Sequence, residues 1–429
     1  MIKRDKPLFS RPVLAVIIVA CTLAIWLLNL TAPHTQLATP NIETWQTESD
    51  IPVYWVNQGI WEGQDKLAIS FVFQGDTRNA PLTAATLGMM LGPSLPLSTA
   101  TINQRLAPAA ASVDSSFDHL QQTLNVTLSS QPQYLAPALK VLDTWFNNTQ
   151  LKATPLETWQ RQYTPDPAEQ QLWQQFFYAP DAPFSQPKQA LTLEDINTYL
   201  QHLKAHVSHI LIAGAMDENA QRVLARGLSS MTKSLQHNLY PVSWQLPTQP
   251  ATAILGNNDL SAIYGVVAME PLASVEDWLA QQIWVRDMLQ AQQDQVGSQV
   301  PQWELHLGRQ LAYANWQIDV PTQVFIDDQQ PLTAASSWFA SEKLPSYTDT
   351  GRFNELKAQL LNQLEALAKN PSWWAIMGTR VALPDSPLSL ETFSKSYSDA
   401  ANSFTIEQYQ QHIDALLIPS SRQEVQVKQ

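Results

Sequence analysis

The chain has 429 residues, of which 45% are hydrophobic and 9% aromatic, with 15 tryptophans among them. This amount of apolar surface excludes a globally disordered protein, and the length suits two domains of roughly 200 residues each. Residues 1 to 11 carry four basic side chains and one acidic side chain, so the formal net charge of −13 leaves −16 on the remainder. That acidic excess argues against nucleic acid or an anionic membrane surface as a partner.

The N-terminus has the pattern of a membrane anchor. Val13 to Leu30 form an uncharged run of 18 residues, which is long enough to cross a bilayer as a helix. The basic segment, residues 1 to 11, precedes this run, and the positive-inside rule keeps it in the cytoplasm. We therefore expect an anchor over residues 12–31 in the bacterial inner membrane, a tether over residues 32–46 and a periplasmic body.

Two other interpretations of this segment stay open: a cleaved signal peptide, or a lipoprotein signal that ends with "IVAC" at Cys21. A lipoprotein signal would have an apolar region of only Val13 to Ala20, and the apolar "TLAIWLLNL" after the cysteine is atypical of it. The length of the run favours an uncleaved anchor. Cys21 is the only cysteine of the sequence, so the exported part has no disulfide and no thiolate metal site.

The first half of the body alternates predicted strands and helices. "IPVYWVN" from Ile51 and "KLAISFVFQ" from Lys66 have the spacing of strands. The segment "PLTAATLGMMLGP", residues 81–93, follows as a helix without one charge. "QQTLNVTL" alternates again, and a helix with Leu135, Leu139, Leu142, Trp145 and Phe146 on one face comes next.

Two patterns recur in the second half. Thr192 with Asp195 predicts a capping box that opens a helix, and Thr405 with Gln408 repeats this pattern 213 residues later. The segment that starts at Leu260, "LSAIYGVVAMEPLASVEDWLAQQI", repeats the strand, break and helix of the first half. The sequence therefore predicts two α+β copies of one fold.

The copies set the predicted domain boundaries. The first domain covers residues 47–233 and the second covers residues 254–418. Residues 234–253, rich in Pro, Gln and Thr and without a firm period, are the predicted linker. Residues 419–429 are predicted to be a polar tail.

Two such copies resemble the insulinase and mitochondrial-processing-peptidase family of zinc peptidases over roughly residues 47–418. In that family a short strand, a second strand and a helix bearing H-x-x-E-H follow one another, and "VYWV", "ISFVFQGDTR" and "PLTAATLGMML" take these places in order. The resemblance implies two homologous domains, each an antiparallel-rich sheet covered by helices.

The resemblance also implies where a zinc site would lie. Two histidines at i and i+4 should bind the metal, and a glutamate at i+3 should act as general base. The matching positions hold Ala84, Leu87 and Gly88, whose side chains offer no donor, so we expect no metal and no cofactor. Gly88 inside a helix costs up to about 1 kcal/mol relative to alanine, which predicts close packing there.

The family's third ligand is a glutamate on a later helix. The corresponding region, "LKATPLETWQRQYTPDPAEQQLW", is interrupted by three prolines, so neither Glu157 nor Glu169 can be assigned to it. A rival metal site consists of His202, His206 and His209, which would suit zinc as three imidazoles. The strand expected after the helix turns His209 away, and cationic side chains also favour a helix C-terminus, which is the structural alternative.

The family also has an arginine and a tyrosine seven residues apart in the second copy, which contact the scissile region. In "HLGRQLAYANW", Tyr313 matches the tyrosine, His306 stands at the arginine's position, and Arg309 lies nearby, out of register. We therefore predict these three as substrate-binding residues. The alternative for Tyr313 is a half-buried strand aromatic.

The segment "AASVDSSF", residues 110–117, occupies the place where the family presents an edge strand to extended peptides. Its small, polar alternation, with Asp114 in the middle, fits backbone pairing with a guest strand, so Asp114 completes the predicted substrate-binding set. An ordinary loop is the alternative.

These features favour a non-catalytic, membrane-anchored partner or regulatory subunit of an active zinc peptidase with an intact H-x-x-E-H. An extended peptide is its expected ligand. Two other functions stay open: a stand-alone periplasmic peptide-binding or scaffold protein, and an active zinc peptidase with unrecognised ligands. Fold resemblance alone does not decide among them, because function belongs to sites.

Overall fold

The structure is a computed structural model that describes residues 37–75, 79–90, 104, 106–177, 190–238, 240, 245–257, 260–296, 302–319, 345–384 and 386–428. Within these residues, no helix combines the length and the apolar character that a membrane crossing requires. The predicted anchor, residues 12–31, lies outside them.

The first domain contains a six-stranded sheet in the order β1-β2-β6-β3-β5-β4. Its strands are β1 (Asn41–Gln46), β2 (Pro52–Asn57), β3 (Leu67–Phe73), β4 (Ser112–Phe117), β5 (Gln122–Leu128) and β6 (Val207–Ala213). Neighbouring strands are antiparallel except β2 and β6, which are parallel. β4 therefore forms one edge of this sheet.

Helices cover the apolar face of the first sheet. They are α1 (Ala80–Met90), α2 (Pro132–Asn147), α3 (Ala153–Gln162), α4 (Pro167–Phe176), α5 (Leu193–Ala205) and α6 (Glu218–Met231). Alternation along β3 buries Ile69, Phe71 and Phe73 on this face, and the ring of Phe71 lies 4.7 Å from that of Phe146 on α2. Helix α4 is the exception, because it packs on the second domain.

The second domain contains a five-stranded sheet in the order β7-β11-β8-β10-β9. Its strands are β7 (Ala251–Leu255), β8 (Leu260–Met269), β9 (Gln302–Leu307), β10 (Ala312–Asp319) and β11 (Leu417–Lys428). Its helices are α7 (Val275–Val296), α8 (Pro345–Thr348), α9 (Thr350–Leu367), α10 (Pro371–Ile376), α11 (Leu390–Ser403) and α12 (Ile406–Leu416). A short π-helix, Met377–Val381, continues α10.

Two equivalent capping boxes confirm the predicted repeat. The Thr192 hydroxyl accepts a hydrogen bond from the Asp195 N–H at 3.2 Å, and the Thr405 hydroxyl accepts one from the Gln408 N–H at 3.3 Å. Each box opens a helix, α5 or α12, that leads into a strand parallel to the early strand of its own sheet. The architecture is therefore α+β with two copies of one fold, as the sequence predicts.

One helix of each domain packs against the sheet of the other domain. α4 of the first domain packs on β8 and β11, and α10 of the second domain packs on β2, β3 and β6. Beside α10, the Trp61 indole N–H donates to the Lys369 carbonyl at 2.7 Å, and the Gln58 amide donates to the Ala368 carbonyl at 3.0 Å. Each contact buries apolar side chains in its own cluster, so two apolar clusters join the domains.

The structure corrects the predicted boundaries. Residues 419–428 lie in β11, which ends at Lys428 between β7 and β8, so this part of the predicted polar tail is a strand. The tether and the linker are also shorter than predicted, since β1 starts at Asn41 and β7 starts at Ala251.

Candidate functional site

Helix α1 places the three motif positions beside the first sheet but gives them no ligand chemistry. Ala84 is half-buried, Leu87 is buried and Gly88 is exposed. A polar contact caps the start of α1, where the Asn79 carboxamide oxygen accepts a hydrogen bond from the Leu82 N–H at 3.1 Å. An alkyl side chain and a glycine supply no lone pair, so these positions do not fit zinc.

Gly88 does not mark the close packing that the sequence predicts. A Cβ built at this position would meet no atom of the described residues within 4 Å. The prediction is wrong because Ala84 and Gly88, one helical turn apart, lie on the side of α1 that faces away from the apolar core. This side of α1 is accessible, but it carries no group that could act on a peptide.

The three predicted histidines do not form a joint site. The rings of His202 and His206 lie 4.4 Å apart at the end of α5, whereas His209 is fully buried in β6 and its Nε2 lies 3.0 Å from the Gly378 carbonyl oxygen. Burial lowers the pKa of His209 to about 3, so this imidazole is neutral. No group of three metal-binding side chains occurs in the described part of the chain.

The structure corrects the prediction that Tyr313 contacts substrate. Tyr313 on β10 is 0% exposed, because α4 places the rings of Trp173, Phe176 and Phe177 around it at 5.4, 5.9 and 5.6 Å. Its hydroxyl accepts from the His119 N–H at 3.4 Å. Burial, together with the charge of Asp118, raises the pKa of Tyr313 well above its usual value. Tyr313 is a packing residue between the domains.

His306 on β9 joins the two domains electrostatically. Its Nδ1 lies 3.2 Å from a carboxylate oxygen of Asp118 in the first domain, and its Nε2 lies 3.3 Å from Glu304. Burial by itself lowers the pKa of His306, but the hydrogen bonds to Asp118 and Glu304 outweigh it and raise the pKa to about 9. The same pair holds the pKa of Asp118 below its usual value despite burial. His306 is thus an imidazolium in an interdomain ion pair.

Arg309 also forms a hydrogen bond across the interface between the domains. Its Nη2 donates to the Ser208 hydroxyl of β6 at 3.2 Å, so the β9–β10 turn reaches across to the first sheet. His306 and Arg309 thus hold the β9–β10 turn against the first domain, and their role in substrate binding stays a prediction.

The segment around Asp114 forms an edge strand, and its predicted role in peptide binding stays a prediction. "AASVDSSF" contains a strand, not a loop, and among the described strands β4 pairs with β5 alone. Asp114 is exposed, and its carboxylate accepts from the Asn125 amide at 2.8 Å. Asn125 in turn accepts from the Ser70 hydroxyl at 2.8 Å, which fixes Asp114 on the face of the sheet opposite the apolar core.

The hairpin turn shows which backbone groups of β4 point outward. The Asp118 N–H donates to the Gln121 carbonyl at 3.1 Å, which makes these two residues a hydrogen-bonded pair. Alternation along an antiparallel ladder then turns Ser112, Asp114 and Ser116 toward β5. Val113, Ser115 and Phe117 therefore direct their N–H and C=O groups away from β5, where a guest strand would bind.

Solved structures share this fold. An inactive domain of peptidase family M16 from Pseudomonas fluorescens aligns with a TM-score of 0.63 at 13% identity, over 90% of this chain and 98% of that one. A predicted insulinase family protease from Yersinia pestis aligns with a TM-score of 0.55 at 13% identity, over 92% and 94%. The fold is insulinase-like. This confirms the resemblance that the strand and helix order predicts.

The insulinase-like fold also occurs in longer chains. The periplasmic protease PqqL from Escherichia coli aligns with a TM-score of 0.59 at 12% identity over 91% of this chain but only 48% of its own. This chain therefore spans about half of that protein. No protein-family model and no curated protein sequence matches this chain.

Two residues of this region were missed by sequence reasoning. Asp118 accepts from the N–H groups of Leu120 and Gln121 at 2.8 and 2.9 Å, so the pattern Asp-x-x-Gln could have indicated the turn. Arg380, in the π-helix of the second domain, donates to the Ser116 hydroxyl on β4 at 3.2 Å. No local signal indicates Arg380, because its partner lies 264 residues away.

Proposed function

We propose that this chain is a non-catalytic insulinase-like subunit that pairs with a zinc-bearing relative and holds extended peptides along β4. Helix α1 carries this proposal: it occupies the place of the metal-binding helix, yet Ala84, Leu87 and Gly88 offer no ligand and no general base. With the metal chemistry lost, the remaining tasks of such a subunit are to enclose and orient a peptide.

The length of related structures supports a partner. The resemblance implies a reaction chamber enclosed by two halves, and this chain spans about half of the periplasmic protease PqqL. In the proposed pair, the zinc-bearing relative would supply the half of the chamber that carries the metal. The uncharged run, residues 12–31, and its basic flank support a body anchored at the bacterial inner membrane and exposed to the periplasm.

The geometry of β4 supports peptide binding. An extended peptide gains main-chain hydrogen bonds by adding to an exposed sheet edge, and it needs no catalytic group to do so. Val113, Ser115 and Phe117 offer three pairs of outward N–H and C=O groups. The central position, Ser115, is therefore the point at which strand addition can be blocked.

The partner is tested by gentle purification of the full chain from membranes of its own host. We expect a relative with intact H-x-x-E-H to co-purify, and the complex to bind zinc and cleave peptides. If the chain purifies alone under conditions that preserve other membrane complexes, and still binds peptides, the stand-alone scaffold is the better function. Tight zinc in the chain by itself would favour an active peptidase.

The peptide site is tested with Ser115→Pro and its matched control Ser115→Ala. Proline removes the outward N–H but leaves the bonds to β5 intact, so β4 should persist as an edge strand. Alanine removes only the hydroxyl. We expect Ser115→Pro to abolish binding of a labelled extended peptide, measured by fluorescence anisotropy, and Ser115→Ala to retain it. Equal binding by both variants would place the peptide elsewhere.

A further inference from the structure

The side chains of β4 that face the second domain have a defined order of charge. Asp114 and Ser116 point to the same face, two residues apart, and pair across the ladder with Asn125 and Thr123. The hydroxyls of Ser116 and Thr123 lie 2.7 Å apart. Asp114 is exposed and accepts from Asn125 through one carboxylate oxygen, so this row begins with a negative charge.

Arg380 adds a positive charge at the Ser116 end of the row. It is half-buried and donates to Ser116 through Nη2 at 3.2 Å, while a guanidinium has five N–H donors. Among the described residues, no carboxylate forms an ion pair with Arg380 within 4.0 Å. Glu304, the acidic group whose pKa responds to Arg380, already pairs with His306. Arg380 thus has donors left for a ligand carboxylate.

From this order of charges we propose that β4 selects antiparallel guest strands with an acidic residue opposite Ser116 and a basic residue opposite Asp114. In the guest sequence this is the pattern acidic-x-basic. The inference rests on the proposed function, since it names the chemistry of the peptide that β4 holds. Arg380 is then a specificity-determining residue supplied by the second domain to a site on the first.

The ladder geometry brings these charges within reach. Because Asp114 and Ser116 direct their backbone groups toward β5, their guest partners would form non-hydrogen-bonded pairs, whose Cα atoms lie about 4.5 Å apart. Opposite charges at such pairs attract, and like charges repel. An antiparallel guest is favoured because this pairing is slightly more stable per residue than parallel pairing. A guest of reversed order would place its acid beside Asp114.

The test uses the full chain in detergent and three nine-residue peptides of alternating Thr and Val that differ at two positions. One peptide contains Glu-x-Lys, one contains Lys-x-Glu, and the third keeps Thr at both positions. We expect Glu-x-Lys to bind about three- to tenfold more tightly than the neutral peptide, and Lys-x-Glu to bind more weakly than it. This preference should decrease as salt is raised.

Variants assign the preference to the two charges. Arg380→Gln should lower the ratio of the Glu-x-Lys affinity to the neutral peptide's affinity, because it removes the positive charge that the acidic residue faces. The double variant Asp114→Lys with Arg380→Glu should invert the preference toward Lys-x-Glu. Circular dichroism confirms that each variant is folded. The matched control is Arg222→Gln on the exposed side of α6, which makes the same change of charge away from β4 and should leave the preference unchanged.

The outcomes separate this inference from the proposed function. If the neutral peptide binds, Ser115→Pro abolishes its binding and all three peptides bind equally, the charge selection is overturned while strand addition stands. A preference for Lys-x-Glu in the unaltered chain overturns it as well. If none of the three peptides binds, peptide holding by β4 fails, and the inference fails with it.

Discussion

The β4–β5 and β9–β10 hairpins occupy equivalent places in the two domains and carry different chemistry. At matching register positions, the first hairpin has Ser116 opposite Thr123, and the second has His306 opposite Tyr313. The first pair is joined by hydroxyls 2.7 Å apart, and the second by rings stacked at 4.5 Å. Helix α4 covers Tyr313 with aromatic side chains, whereas the contact of the second domain with the row on β4 is the hydrogen bond from Arg380 to Ser116.

We interpret this difference as a division between a structural surface and the proposed binding surface. The second hairpin uses its large side chains to hold the domains together, so its loss should affect stability. The first has small, polar side chains and lies at the edge of the sheet among the described strands, so its loss should affect the proposed peptide binding. The experiments below test this division, from the largest expected effect to the smallest.

The largest effect should come from Tyr313→Ala. Removing this fully buried ring leaves a cavity between α4 and the second sheet, and we expect the free energy of unfolding to fall by about 3–5 kcal/mol. The equivalent Thr123→Ala should cost about 1 kcal/mol, because it removes one hydroxyl contact. Urea denaturation measures both. Equal losses at the two positions would contradict the division between the hairpins.

The pH dependence of stability should show a maximum set by two histidines. Folded His306 keeps its proton up to about pH 9, whereas the unfolded chain releases it near 6.5, so the free energy of unfolding should rise as pH falls through this window. Below pH 6.5 the unfolded chain protonates at His209 but the folded chain does not until about pH 3, so stability falls again. Each slope is at most about 1.4 kcal/mol per pH unit.

Urea titrations at a series of pH values measure both limbs. His306→Gln is the control for the upper limb, since it should flatten the dependence between pH 6.5 and 9 while leaving the lower limb in place. An upper limb that persists in His306→Gln would mean that another group holds the proton.

The next effect concerns the partner of His306. Asp118→Asn keeps an oxygen for the N–H groups of Leu120 and Gln121, so the turn should persist, but it removes the charge that His306 faces. We expect a loss of about 2 kcal/mol at neutral pH, typical of a hydrogen bond to a charged group. The loss should shrink toward pH 9, where His306 deprotonates. A loss independent of pH would indicate a packing effect instead.

The smallest effect compares two glycines. Gly88→Ala should stabilise the protein by about 0.5–1 kcal/mol, because its Cβ would enter open space and alanine favours the helix. Gly265→Ala on β8 is the contrast: its Cβ would lie 2.1 Å from the Trp316 ring, so it should destabilise. Thermal melting measures both shifts, and a destabilised Gly88→Ala would mean that α1 is packed more tightly than the structure shows.

Local signals in the sequence predicted much of the fold. Both capping boxes, the alternation of β3 and the single apolar face of α2 depend on neighbouring residues, and each was confirmed. β11 was missed because the C-terminal sequence, "SRQEVQVKQ", is polar, and polar residues usually lie at the surface. In the structure Glu424 pairs with Arg422 at 3.0 Å, and the Gln423 amide donates to the Gln249 carbonyl at 3.1 Å. These contacts pair two of the polar side chains that β11 buries.

The candidate site was less predictable because it depends on the second domain. The lack of donors on α1 can be read directly from its sequence, and the edge position of β4 follows from the resemblance. The burial of Tyr313 cannot be read in this way, since α4 arrives from the other domain. Arg380 likewise contacts Ser116 because α10 of the second domain packs against the first sheet.

The central claim is that this chain has lost the metal chemistry of its fold. The most direct test is elemental analysis of the full chain, separated from any partner and dialysed against a weak chelator, together with a peptide-cleavage assay on the same sample. We expect well below one zinc per chain and no cleavage, because Ala84, Leu87 and Gly88 provide no ligand and no base. Roughly one zinc retained per chain, with cleavage that a strong chelator abolishes, would contradict the claim.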